Sequence, residues 1–121
     1  MENKFYPFDQ NNSGGIFRIN EKEGIGTLVI IEAKSADEAN ERAEEIGLYF
    51  NGCEKDIDCN CCGDRWNEVT ESDGTLKPSY YDTLIEEIEV DPYRTDCYIH
   101  YLDGRVEYIK FKNKKYSSSN N

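Results

Sequence analysis

The chain has 121 residues and a formal net charge of −11, which suits one acidic domain of ordinary size. The acidity argues against direct binding to nucleic acid or anionic membranes, because both need clustered Lys and Arg side chains. No apolar run approaches the roughly 18 residues of a membrane helix, and polar residues follow Met1. We therefore expect a cytoplasmic protein with reduced thiols, and five cysteines, an odd number, fit a disulfide framework poorly.

The N-terminal third predicts three strands. Lys4–Phe8 is an aromatic run typical of an edge strand, because it contains Pro7. After a turn-forming segment, Ile16–Ile19 is expected to return beside it as a hairpin partner. Residues 27–31 form a β-branched run that is typical of a central strand buried on both faces.

One helix is expected next. Ser35 and Glu38 have the spacing of a capping box, in which the serine accepts a backbone hydrogen bond and the glutamate reaches back. The helix should continue to Ile46 and end at Gly47. A narrow stripe of small side chains would let it lie close to a sheet: Ala36, Ala39, Ala43 and Ile46.

The C-terminal half is less regular until residue 97. Arg65–Thr70 is compatible with a strand, and Tyr80–Val90 favours a short helix. Cys97–Phe111 predicts a hairpin around a two-residue turn at Asp103-Gly104. That turn would pair His100 with Glu107 on the polar face, so a cross-strand pair is favoured over a general base. Val106 and Tyr108 would then lie on the core face with Cys97, Ile99 and Tyr101.

These elements predict an α+β domain over residues 1–111. Its sheet would be antiparallel, with about five strands, one main helix packed on a face, and a cysteine-rich loop at residues 51–66. Residues 112–121 are basic and rich in Ser and Asn, which is typical of a disordered tail.

Four of the five cysteines lie in that loop, at Cys53, Cys59, Cys61 and Cys62. Cys59-x-x-Cys62 has the spacing of a zinc knuckle, and a structural Zn²⁺ would stabilise a loop too short to build its own core. Cys53 and Cys61 are the other candidate ligands, and Asp58, Asp64 or the distant Cys97 could complete the shell. Two alternatives stay open: reduced cysteines packed against Trp66, and a redox or nucleophilic thiol. Asp64-Arg65 is expected to form an ion-paired turn, with a contact to a partner, which would also involve Trp66, as the alternative.

A dense turn signal before the predicted second strand could hold a phosphate on its backbone N–H groups, with Arg18 just beyond it. The segment lacks the lysine and the helix of a P-loop, so a structural turn is favoured over a ligand site. Its residues are Asn11, Asn12, Ser13, Gly14 and Gly15.

Three segments together resemble small, largely uncharacterised proteins of tailed bacteriophages and prophages. They are FDQNNSGG at residues 8–15, CNCCGDRW at 59–66 and IHYLDG at 99–104. The resemblance implies a phage gene that acts inside a bacterium, and it implies no catalytic residues.

We expect a non-enzymatic accessory protein that binds and inhibits or modulates a host protein, a defence factor being one such target. The acidic composition and the lack of an assembled catalytic constellation motivate this hypothesis. One alternative is a binder that sequesters a nucleotide signal through the 10–15 turn, Arg18, Arg65 and stacked tyrosines, between subunits of an oligomer. The other alternative is an acidic mimic of nucleic acid.

Overall fold

A computed structural model describes residues 2–88 and 96–111. Its six strands and one α-helix are numbered here in chain order. They are β1 (Lys4–Asp9), β2 (Leu28–Ala33), α1 (Ala36–Ile46), β3 (Ser79–Tyr80), β4 (Thr83–Leu84), β5 (Asp96–His100) and β6 (Val106–Lys110). In this part of the chain no helix has the length and hydropathy needed to cross a membrane.

The main sheet has four strands in the order β1-β2-β5-β6. β1 pairs with β2 and β5 pairs with β6 in antiparallel fashion, but β2 and β5 run parallel. The α+β prediction is confirmed. The expected antiparallel sheet of five strands is wrong, because the chain leaves β2 through α1 and a long crossover before β5 returns beside it. A separate two-stranded sheet contains β3 and β4.

β2 is the centre of the core, as its β-branched run predicts. Val29 and Ile31 face α1, whereas Leu28 and Ile30 face the opposite layer, and all four are almost fully buried. The second layer includes Ile85, which follows β4. The sheet therefore has an apolar cluster on each face, and β1 lies at its edge as predicted.

The predicted helix is confirmed at both ends. The Ser35 hydroxyl accepts a hydrogen bond from the Glu38 N–H at 3.1 Å, and Gly47 ends the helix with φ of +121°. The Glu38 carboxylate accepts from the N–H of Lys34 at 3.3 Å. Glu71, far along the chain, accepts from the N–H of Ala36 at 2.6 Å, so a carboxylate from outside the helix caps its first N–H.

Three predicted elements are absent from the described residues. Ile16–Ile19 forms no strand, because β2 takes the place beside β1 that this segment was expected to occupy. Residues 65–70 are also irregular. The helix predicted from residue 80 is replaced, as far as residue 88, by β3, β4 and a single 3-10 turn at Ile85–Glu87. Residues 89–90 and the predicted tail at 112–121 lie outside the described residues.

The C-terminal hairpin is confirmed, but its register differs by one residue from the prediction. Tyr101 donates its N–H to the Arg105 carbonyl at 2.8 Å, so the loop has three residues, with Gly104 at φ of +98°. His100 consequently pairs with Val106 rather than with Glu107. A one-residue shift moves every side chain of a strand to the other face, and Val106 and Tyr108 are half exposed instead of buried in the core.

Asn40 provides a sharp test of how α1 holds the irregular segment that follows the cysteine loop. Its buried amide donates to the Val69 carbonyl at 3.0 Å and accepts from the Val69 N–H at 2.9 Å. Asn40→Ala would leave both backbone groups unpaired, and we expect it to lower the free energy of unfolding by about 2–4 kcal/mol in urea denaturation. Glu44→Ala, at an exposed position of the same helix, should change it by less than about 0.5 kcal/mol. Equal effects of the two variants would contradict this role for Asn40.

Candidate functional site

The turn at residues 11–15 and the cysteine loop, which are about 50 residues apart in sequence, lie against each other. The Asn11 amide donates to the carbonyls of Cys62 at 2.7 Å and Asp64 at 3.2 Å. The Cys59 N–H donates in turn to the Ser13 hydroxyl at 3.0 Å. The first two sequence motifs therefore form one hydrogen-bonded unit.

Arg65 is the centre of this unit and is only 2% exposed. Its guanidinium donates to the Gln10 side-chain oxygen at 3.0 Å, to the Ile16 carbonyl at 2.8 Å and to the Ser13 carbonyl at 2.6 Å. These three acceptors all belong to the N-terminal turn. The planar, multivalent donor set of arginine thus shapes a segment that has no regular structure beyond one short 3-10 turn.

Asp58 is the buried counter-charge of Arg65. One carboxylate oxygen lies 3.7 Å from Arg65 Nε and accepts from the Tyr49 hydroxyl at 2.6 Å, while the other accepts from the Arg65 N–H at 2.8 Å. Gly52 makes this arrangement possible, because a Cβ at that position would lie 1.9 Å from an Asp58 oxygen. The expected Asp64-Arg65 ion pair does not form; Asp64 instead accepts from the Cys53 N–H at 2.9 Å.

In this arrangement some of the residues proposed for ligand or partner binding are buried and others are exposed. Ser13, Arg65 and Trp66 are buried, and Trp66 belongs to the core cluster under α1. Asn11 and Asp64 are half-buried, while four residues are exposed: Asn12, Gly14, Gly15 and Arg18. The two arginines are not brought together at the surface. Of these two arginines, only Arg18 could contact a nucleotide phosphate at the surface. The nucleotide ligand stays a prediction.

Cys59 and Cys62 lie on one tight turn. The N–H groups of Cys62 and Gly63 both donate to the Cys59 carbonyl at 3.1 Å, and Gly63 has φ of +89°. A hydrogen bond from the Cys62 thiol, together with bonds from the backbone N–H groups of Cys61 and Cys62, lowers the pKa of Cys59. This geometry favours a thiolate, which is the form that binds metal.

Cys53 has the opposite environment. Its thiol donates to the Cys59 carbonyl at 3.5 Å, and burial, followed by the hydrogen bond and charge of Asp64, raises its pKa to about 11. No group of three or more His, Cys, Asp or Glu side chains is arranged as a metal site within residues 2–88 and 96–111. Cys59 and Cys62 share one turn with the spacing of a zinc knuckle, and the zinc site stays a prediction. Cys61 is exposed beside them.

A groove of about 570 Å³ lies beside this unit, and sequence reasoning missed it. It extends from the end of β1 to the β3–β4 hairpin, and Asn11 belongs to both the groove and the hydrogen-bonded unit. Tyr80 and Tyr81 form an aromatic pair here, with ring centroids 4.6 Å apart. Four carboxylates and no Lys or Arg line its described wall: Asp9, Glu68, Asp73 and Asp82.

Tyr81 is unusual in its backbone. It is 77% exposed, and its φ of +55° is a conformation that bulky side chains rarely adopt. It occupies the first of two loop positions between β3 and β4, where glycine is the usual residue. The tyrosine-rich sequence Ser79-Tyr80-Tyr81-Asp82 could have indicated this part of the groove, but the segment from Tyr80 was predicted to be a helix.

A family model described as a domain of unknown function, DUF7296, matches residues 3–117. The chain belongs to the DUF7296 family. No curated protein and no solved structure matches it.

Substitution of Arg65 should disrupt the hydrogen-bonded unit of this DUF7296 domain, because its guanidinium and backbone make so many of the bonds within it. Arg65→Met would leave Asp58 charged and buried, and we expect a loss of about 3–5 kcal/mol in the free energy of unfolding, measured in urea. Asp58→Asn added to it removes the uncompensated charge and should recover part of that loss. Arg18→Met, an exposed control, should stay within about 0.5 kcal/mol of the native chain. A loss for Arg65→Met no greater than for the control would show that the buried pair is dispensable.

Proposed function

We propose that this chain is a non-catalytic, phage-encoded accessory protein that binds a basic segment of a host protein in the bacterial cytoplasm. The phage origin is supported by the resemblance of its three sequence motifs to phage proteins. The net charge of −11 supports a basic partner, because it favours association with a surface of opposite sign. Inhibition of a host factor would follow if the bound segment is one that the host protein needs.

The observation that carries the proposal is the groove beside β1. Carboxylates on a concave wall concentrate negative potential, and exposed aromatic rings contribute binding area as well as faces for a Lys or Arg cation. Asp9 and Tyr80 are already joined by a hydrogen bond of 3.1 Å, which holds part of the wall in place. A basic peptide segment matches this groove in charge and in chemistry.

The strain at Tyr81 is a second reason to place the partner here. A non-glycine residue in the left-handed region costs about 1 kcal/mol or more, and such residues are concentrated at functional sites. Glycine at this position would remove the strain and the ring together. The exposed ring of Tyr81 therefore reads as a feature kept for binding rather than for stability.

The partner would first be recovered from host lysate, and its binding to variants then measured by calorimetry. Tyr81→Gly should weaken binding at least about fivefold while leaving the unfolding free energy unchanged or higher, because the lost ring belonged to the interface. Asp82→Asn should weaken binding about two- to fivefold, with an effect that shrinks as salt rises.

The matched controls lie outside the groove. Leu76→Ala removes an exposed apolar side chain and Glu87→Gln an exposed charge, and neither should alter affinity by more than about twofold. Recovery of no partner above background would count heavily against the proposal. Equal weakening of binding by Glu87→Gln and Asp82→Asn would show that general charge attraction, and not the groove, accounts for the affinity.

The proposal includes a structural Zn²⁺ in the cysteine loop. The turn at Cys59 and Cys62 supports it, since hydrogen bonds to the first thiol of such a turn stabilise the thiolate that zinc requires. Neither alternative from the sequence, nucleotide sequestration or nucleic-acid mimicry, has a comparable observation in its favour, and both stay predictions.

Native mass spectrometry of the untagged protein, purified without chelator, tests the metal. We expect one zinc per chain, lost when Cys59 and Cys62 are both replaced by serine, because two thiolate ligands are removed. Cys97→Ala is the control, since Cys97 is buried in the sheet away from the loop. A native chain that carries no metal would leave the loop cysteines as packing or redox residues.

A further inference from the structure

The main sheet has two outer strands, and the outer edge of β1 is protected. Along that edge the Phe5 N–H donates to the Thr75 carbonyl at 2.8 Å, and the Thr75 N–H donates back to the Phe5 carbonyl at 3.0 Å. The next outward-facing position of β1 is Pro7, which has no N–H to donate. A further strand beside β1 would therefore find its pairing positions occupied or without a donor.

The outer edge of β6 is open. In an antiparallel pair, the backbone groups of alternate residues point to the neighbouring strand and those of the residues between them point away. The Tyr101 N–H donates to the Arg105 carbonyl at 2.8 Å, which fixes the phase of this alternation. The residues whose backbone groups point away from β5 are therefore Val106, Tyr108 and Lys110. These groups have no hydrogen-bond partner among the residues that the structure describes, so the edge can accept another strand.

Tyr108 lies in the middle of this open edge, and its ring is held in place. The ring packs on Tyr98 of β5 with centroids 4.9 Å apart, and its hydroxyl donates to the Asp96 carboxylate. Tyr108 is nevertheless 47% exposed, and Val106 on the same face is 51% exposed. The buried cluster under α1 includes no β6 residue among those described, so both side chains face water. A half-exposed aromatic ring with a fixed orientation is typical of the centre of a protein interface.

The charge of β6 differs from that of the chain as a whole. The strand has one acid and one base, Glu107 and Lys110, whereas the chain has a net charge of −11. Arg105, just before the strand, pairs with Asp103 at 2.9 Å. Two copies of an acidic chain repel each other, and they can approach with less repulsion at a neutral strand than at an acidic surface.

Two copies of β6 match each other best in one register about a two-fold axis. When Tyr108 lies opposite Tyr108 of a second copy, Val106 lies opposite Lys110, and all the outward-facing positions pair. Glu107 then lies opposite Ile109, and no like charges are directly opposed. An axis at Glu107 would oppose two carboxylates, and an axis at Ile109 would shorten the pairing.

We infer that two copies of this chain pair in antiparallel fashion through the outer edges of β6, about a two-fold axis at Tyr108. The pairing would join two four-stranded sheets into one and would place Tyr98 and Tyr108 of each copy in a single cross-strand row. Backbone hydrogen bonds supply the affinity in such strand addition, and the aromatic row fixes the register. The groove beside β1 lies at the other edge of the sheet, so the inference is independent of the proposed function.

Sedimentation equilibrium of the full chain, from about 1 µM to about 1 mM, measures the association. We expect a monomer–dimer equilibrium that tightens at least about threefold between about 50 and about 500 mM salt, because salt screens the repulsion between two chains of charge −11. Binding of a basic partner in the groove should weaken with salt, so the two interactions differ in sign. A chain that stays monomeric at the highest concentration would overturn the inference.

A proline substitution tests the outer edge of β6 selectively. Val106→Pro removes an N–H that points away from β5, and proline is tolerated at such positions of an outer strand. We expect it to weaken dimerisation at least about tenfold while the circular dichroism spectrum of the monomer is unchanged. Val106→Thr keeps the N–H and a β-branched side chain, and should stay within about threefold of the native chain. Dimerisation of Val106→Pro as tight as that of the native chain would contradict the pairing.

Hydrogen exchange of single backbone amides, followed by NMR on the native chain, tests the same edge without a substitution. In the monomer the Glu107 and Ile109 N–H groups point to β5, whereas those of Val106 and Tyr108 face outward. Raising the protein concentration should slow exchange at these two outward amides at least about tenfold. Dimerisation without this protection would place the interface elsewhere and overturn the inference. Protection that appears only when a host protein is added would assign the edge to a foreign strand and would overturn it as well.

Discussion

The buried pair of Arg65 and Asp58 is the interaction on which the irregular half of this protein depends. Neither the turn at residues 10–16 nor the cysteine loop contains enough apolar residues to pack by burial alone, so both are shaped by hydrogen bonds. A buried ion pair is a weak source of net stability, since desolvation offsets much of its attraction. Its value here is geometric: the guanidinium and the carboxylate together satisfy groups from both segments, and breaking either side leaves a buried charge. The two loops are therefore expected to fold and unfold together.

Where local chemistry decides structure, the sequence was sufficient. The capping serine and terminal glycine mark α1, and the β-branched run of residues 27–31 marks the central strand, because these signals act within a few residues. The prediction of the strand beside β1 was wrong because that pairing is decided by distant parts of the chain. Ile16–Ile19 competes with β2 for the edge of β1, and closing the longer loop to β2 costs little additional entropy. Tertiary contacts, rather than propensity, selected β2.

The candidate site shows the same division. Segments that looked functional because their residues are unusual, the turn at 11–15 and the CGDRW stretch, serve mainly to hold each other. Val106 and Tyr108 were misplaced because one additional loop residue at the β5–β6 turn shifts the register, and a shift of one exchanges the two faces of β6. His100 keeps its predicted side of β5, opposite Cys97 and Ile99, but that side is buried because it lies on the α1 face of the sheet rather than in water. No local pattern reports a loop of three residues rather than two when Asp-Gly fits both.

The distribution of acidic residues gives the net charge a structural meaning that composition alone does not. Among the described residues, four acidic side chains line the groove beside β1: Asp9, Glu68, Asp73 and Asp82. Like charges held in a concave wall repel each other and oppose folding, so such placement is costly where simple solubility would be served equally well by dispersed charges. The same concavity focuses the potential on whatever enters it. Under the proposed function the carboxylates of the groove, which lie beside Tyr80 and Tyr81, would face the cationic side chains of the partner.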